Sequence, residues 1–129
     1  MAKILLIEDD PLMLRLYEKI LERNDFQIVA ASRGQEGLTK AKEEKPDLIL
    51  LDIMMPEMDG FEVLGKLKSD DTTKNLPVIA LTNLAGEEDA KKALEMGAIR
   101  YIIKSEHDPA GVVKIAKEVL ASQIPNKTN

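Results

Sequence analysis

Leu48-Ile49-Leu50-Leu51 is an unbroken aliphatic run that stops abruptly on a carboxylate, Asp52. A short run with no polar side suits a strand covered on both faces, as in a parallel sheet. Parallel neighbours require long crossovers, so the run commits the chain to alternating strands and helices. After Asp52, Pro56 halts the extended stretch, and Asp59-Gly60 carries a turn and helix-cap signal. An acid at the carboxyl end of a buried parallel strand lies where open α/β sheets gather their ligands.

The rest of the chain repeats this pattern. Ile4-Leu5-Leu6-Ile7 is a second buried strand, followed by Glu8, Asp9 and Asp10. Asp10-Pro11 pairs an N-cap with a first-turn proline, and Met13, Leu16, Tyr17, Ile20 and Leu21 recur at helical spacing to about Arg23. Gln27 to Ala31 is a weaker, edge-type strand, and Gly34 to about Lys45 a helix with Leu38 and Ala41 inward. Phe61, Leu64 and Lys68 set out the helix after the Asp52 strand, with Leu67 extending its apolar face. Val78 to Leu81 forms a fourth strand ending at Thr82, and Ala90, Ala93, Leu94 and Gly97 outline the next helix and its cap. Tyr101-Ile102-Ile103 is a fifth strand with Lys104 behind it; Asp108-Pro109 then opens a helix carrying Val112, Ile115, Ala116, Val119 and Leu120. The reading is one α/β domain over 1–122, five parallel strands with five helices on both faces, and a polar tail over 123–129.

Composition removes several function classes. A chain of 129 residues with 44% hydrophobic and 32% charged residues is a folded domain, not a disordered one. A net charge of -5 offers no basic face for nucleic acid. No cysteine is present and His107 is the single histidine, which excludes thiolate chemistry and multi-histidine metal sites. No stretch has the length of a signal peptide or membrane span, so the expected location is cytoplasmic.

Because all strands of a parallel sheet point the same way, Glu8-Asp9, Asp52, Thr82 and Lys104 fall on one edge. Carboxylates crowded there repel by roughly 4 kcal/mol per pair at about 4 Å and an effective dielectric near 20. An all-oxygen set calls for a hard cation: Mg²⁺ first, with Mn²⁺ or Ca²⁺ compatible. Acids, a divalent metal, a lysine and a hydroxyl together describe a site for a phosphoryl group.

The Leu5-Leu6-Ile7-Glu8-Asp9-Asp10 opening, the Asp52-Ile53-Met54-Met55-Pro56-Glu57-Met58-Asp59-Gly60 segment, Thr82, Tyr101 and Lys104 carry a further signal. With them the chain resembles the receiver domain of bacterial two-component response regulators, chiefly the single-domain, chemotaxis-regulator type. The resemblance covers residues 3 to about 122. It implies a flavodoxin-like fold with strand order 2-1-3-4-5 and a signalling protein, not an enzyme, that assists its own phosphotransfer and dephosphorylation. It implies Asp52 as phosphoacceptor from a sensor histidine kinase or phosphotransfer protein, with Glu8, Asp9, Asp52 and the Met54 carbonyl around Mg²⁺. Lys104 would pair with a phosphoryl oxygen, and Thr82 and Tyr101 would form the switch. The output surface for a downstream protein would be the fourth helix, fifth strand and fifth helix.

Two positions depart from the family pattern: Ser105 follows Lys104 where proline is usual, and Asn83 follows Thr82 where a small residue is usual. Without proline, a cis bond costs roughly 2.5–4 kcal/mol, so Lys104-Ser105 is expected to be trans. Met54 and Leu84 are apolar where a polar side chain could orient water, so the phosphorylated form is expected to be long-lived. Rival functions fit less well. Gly60 to Leu67 begins like a P-loop but has Leu67 where a metal-binding hydroxyl belongs. A phosphatase with an aspartate nucleophile would need an acid at Met54. A regulatory piece of a larger DNA-binding regulator stays open as an alternative.

Overall fold

The computed structural model describes residues 1–83 and 86–128, the side chains of 124–128 excepted. In order the elements are β1 (Lys3–Ile7), α1 (Pro11–Arg23), β2 (Gln27–Ala31), α2 (Gly34–Glu44), β3 (Leu48–Asp52) and α3 (Gly60–Ser69). They continue with β4 (Val78–Thr82), α4 (Glu87–Glu95), β5 (Arg100–Ile103), a short 3₁₀ turn (Lys104–Glu106) and α5 (Pro109–Thr128). The strands pair in parallel in the order β2-β1-β3-β4-β5. This is the doubly wound fold that the sequence implied.

Strand alternation divides the interior into two cores. Leu5, Ile7, Ile49, Leu51, Val78 and Ala80 pack with Leu38 and Ala41 of α2, Val63, Leu64 and Leu67 of α3, and Ala93 of α4. Ile4, Leu6, Leu48, Leu50, Ile79, Leu81 and Ile102 face Tyr17 and Leu21 of α1 and Val112, Val113, Ala116 and Val119 of α5. Each fully buried aliphatic side chain contributes about 1.5–3 kcal/mol relative to exposure. Every residue of β3 is buried, Asp52 included. A slip forward by one residue would carry that carboxylate into the apolar sheet, so the acid itself helps to fix the register.

Local signals place the helices around the carboxyl edge. Asp10 accepts from the amides of Leu12 and Met13, Asp59 from Glu62, and Asp108 from Gly111 at 2.8 Å. Gly60 lets α3 start directly against the end of β3: its amide donates to the Ile53 carbonyl at 2.8 Å. A Cβ there would lie 2.6 Å from the Asp52 carbonyl oxygen, so any larger residue would displace the loop that carries the acid.

Some expectations need correction. Leu16 and Leu94 are 41% and 48% exposed. The inner face of α1 carries Tyr17 and Leu21 with Met13, Leu14 and Ile20 packed beside them, so four of the five expected residues hold and Leu14 takes the place of Leu16. The backbone of α5 continues to Thr128, through residues read as a polar tail. That reading had stopped where the apolar spacing stops, although helical backbone does not require an apolar face. Gly60 to Leu67, the partial P-loop match, lies within α3 and forms no loop. There is no cis peptide bond among the described residues, so Lys104-Ser105 is trans as expected. No helix of the described residues is long and apolar enough to cross a membrane.

Candidate functional site

The sheet register brings the predicted residues to one edge. Ile7 pairs with Leu51, Asp52 with Leu81 and Thr82 with Ile103, so Glu8, Asp52, Thr82 and Lys104 lie at neighbouring strand ends. Glu8, Asp52 and Thr82 are all buried; Asp9 is half-buried. Glu8, Asp9 and Asp52 each present an oxygen within 4.8 Å of the others.

Lys104 does more than face Asp52. Its ammonium donates to Glu8 Oε1 in a very close contact and lies 3.7 Å from Asp52 Oδ2. The expected Lys104–Asp52 opposition is therefore a bridge, with Glu8 the nearer partner. Two buried carboxylates share one cation, and neither could stay charged in so dry a place alone. Two backbone amides help: Met54 donates to Asp52 Oδ1 at 3.0 Å and Asp10 to Glu8 Oε2 at 3.1 Å.

Burial is the main reason that the Asp52 carboxyl is pushed up to about 8; its hydrogen bond to Glu8 and Glu8's charge add to this. Lys104 and the Met54 amide pull the other way without cancelling it. The phenol of Tyr17 is raised as well, by burial first and then by the charge of Glu8.

The residues open onto a cavity of ≈ 520 Å³. Glu8, Asp9, Asp10, Asp52, Asn83, Lys104 and Ser105 line it. Met13 and Met54 complete the lining, the latter 54% exposed. The sequence reading had taken Asp10 as a cap and Met13 as a helix-face residue, and missed their part in the lining. Only their position one and four residues after Asp9 could have signalled it. Thr82 lies on this edge by strand register. Tyr101 is half-buried against the core under α3 and α4, its phenol raised by burial and by Asp89. Leu84 lies outside the described residues, and His107 is exposed. A smaller depression of ≈ 370 Å³ between α2 and α3 contains the Lys42–Asp70 ion pair, 2.9 Å, and no acid cluster.

This geometry coincides with a known family: residues 4–116 match the response regulator receiver domain. The chain belongs to that family. PilH of Pseudomonas aeruginosa is 35% identical over 121 residues, which span 94% of this chain and 99% of PilH. The response regulator PleD of Caulobacter vibrioides is 41% identical over 107 residues, 83% of this receiver but 24% of PleD. The receiver thus spans about a quarter of that relative's length. Among solved structures, a CheY-like receiver domain protein from Methanospirillum hungatei superposes with a TM-score of 0.90 at 31% identity, covering 98% of each chain. Vibrio cholerae CheY4 superposes with a TM-score of 0.86 at 27% identity, over 92% of this chain and 98% of that one.

Proposed function

We propose that this receiver takes a phosphoryl group onto Asp52 from the phosphohistidine of a sensor kinase or phosphotransfer protein. The observation that carries the reading is the placement of Asp52: buried at the end of β3, 3.7 Å from the Lys104 ammonium, with Glu8 and Asp9 oxygens close by. An Asp52 oxygen forms a bond to phosphorus as the phosphorus–nitrogen bond breaks, and the electron pair stays on the imidazole nitrogen. Lys104 then moves its hydrogen bond from Glu8 to a phosphoryl oxygen, and the Met54 amide holds the attacking carboxylate in line.

The residues fit a divalent cation. Three carboxylates with oxygens within 4.8 Å of one another form a hard, all-oxygen set. Glu8, Asp9 and Asp52, with the Met54 carbonyl, would hold Mg²⁺, and Mn²⁺ suits the same donors. When bound, the ion supplies the positive charge that lets an anionic nucleophile meet an anionic phosphoryl group.

Phosphorylation would draw the Thr82 hydroxyl toward Asp52 and the Tyr101 ring inward, altering the α4, β5 and α5 surface that a protein target reads. Leu12, 79% exposed, and Leu16 flank Met13 on α1, which supports approach of a protein donor along that helix. Incubation with Mg²⁺ and acetyl phosphate should add one phosphoryl group by intact mass, and Asp52→Asn should add none. Labelling of that variant to the wild-type extent would overturn the assignment.

A further inference from the structure

The cavity over Asp52 is layered by depth. Asp52 and Thr82 are buried and the Lys104 side chain is only 9% exposed, whereas Asn83 and Ser105 are exposed at the rim. In-line transfer to Asp52 puts the phosphorus next to the buried groups and the leaving group opposite, toward the mouth. The rim side chains therefore meet the leaving group, and their chemistry is uneven. Neither the Asn83 amide nor the Ser105 hydroxyl has a hydrogen-bond partner among the described residues. Both can donate and accept. Met13 and Met54 supply soft thioethers that favour the edge and face of an aromatic ring. With Asp52 ionised for attack, the lining carries four carboxylates against one ammonium, and a bound divalent cation leaves that balance negative. An anionic leaving group such as acetate meets like charge there, while a protonated ring is attracted.

We infer that Asn83 and Ser105, with the Met13 and Met54 side chains, form a seat for an imidazole leaving group and bias the protein toward nitrogen-linked phosphoryl donors. The inference rests on Asp52 as the phosphoacceptor. The donor enters with its ring protonated on the free nitrogen, held by the Asn83 carbonyl oxygen or the Ser105 Oγ. As the oxygen–phosphorus bond forms at Asp52, the phosphorus–nitrogen bond breaks onto the ring, and neutral imidazole departs without a further proton. Asn83 and Ser105 are specificity residues; they do not touch the transferred oxygens.

The test compares labelling rates by intact mass at sub-saturating monophosphoimidazole and acetyl phosphate, both with Mg²⁺. The ratio of the first rate to the second should fall about fivefold in Asn83→Ala and in Ser105→Ala, the effect of one lost hydrogen bond. Ser105→Thr, which keeps the hydroxyl, should restore it. An unchanged or increased ratio overturns the seat, including the case in which both donors slow equally. Independently, titration of the wild type with imidazole should move the Met13 and Met54 methyl resonances saturably, and no such shift also overturns it. If the wild type is labelled by neither donor, the Asp52 assignment fails and the seat falls with it.

Discussion

The two ends of the sheet contain the same kinds of charged residue in opposite circumstances. At the amino edge, Lys3 donates through Nζ to the Glu44 carbonyl at 3.0 Å and pairs with its carboxylate at 3.4 Å, with side chains 25% and 42% exposed. The Lys3 amide also donates to Asp47 Oδ2 at 2.8 Å. At the carboxyl edge, Lys104 and Glu8 are 9% and 2% exposed, and one ammonium serves both Glu8 and Asp52. The first arrangement is wet, and simply staples β1 to the end of α2 and the loop before β3. The second holds two carboxyl groups out of water beside one ammonium, which costs stability.

Removing the lysine at each end should separate the two cases most widely. Lys104→Met leaves Glu8 and Asp52 buried with no cation and should cost about 3 kcal/mol in metal-free urea unfolding. Lys3→Met should cost under about 1 kcal/mol, as expected for an exposed pair. Equal losses would remove the distinction.

Divalent metal should act on one end only. At about 100 times its dissociation constant, Mg²⁺ should stabilise the wild type by roughly 2.7 kcal/mol, read as a rise in melting temperature. Asp9→Ala should lose that rise, and Asp47→Ala should keep it. A rise that survives Asp9→Ala places the ion elsewhere.

The smallest effect concerns the backbone. Lys45 at the end of α2 (φ 48°) and Glu57 after Pro56 (φ 67°) both occupy the left-handed region. Glu57 sits at the centre of a tight turn in which the Met58 amide donates to the Pro56 carbonyl at 2.8 Å. Glycine at either position should stabilise by about 0.5–1 kcal/mol. Only Glu57→Gly should alter the rate of Asp52 labelling, because only that loop is tied to the acid. A rate change in Lys45→Gly would contradict the division between the ends.

Most of this was legible in the sequence, for identifiable reasons. Aliphatic runs closed by Glu8, Asp52, Thr82 and Lys104 give both the sheet and its working edge, because parallel strands make sequence position equivalent to edge position. The caps at Asp10, Asp59 and Asp108 were legible because each places an acceptor just ahead of exposed helix amides. What the sequence withheld depends on side-chain direction. The choice of Leu14 over Leu16 on α1, with the rest of the stripe kept, is one that apolar spacing alone does not resolve. That Lys104 reaches Glu8 before Asp52, and that Met13 turns into the cavity, are matters of ångströms between elements far apart in the chain.

The fold holds Asp52, the phosphoacceptor proposed above, at a cost to its own stability. Because the folded carboxyl is raised to about 8 from an ordinary 3.8, the folded state binds this proton more tightly than the unfolded chain. Its contribution is therefore intact below the unfolded value and is lost as pH rises toward the folded one. The direct measurement is the unfolding free energy of wild type and Asp52→Asn in chelator, followed between about pH 4 and about pH 8. The variant should be more stable at the upper end, by about 2–4 kcal/mol, with the gap closing toward the lower end and shrinking when Mg²⁺ is added. A variant less stable than the wild type at about pH 8, or a gap that does not change with pH, would contradict the account.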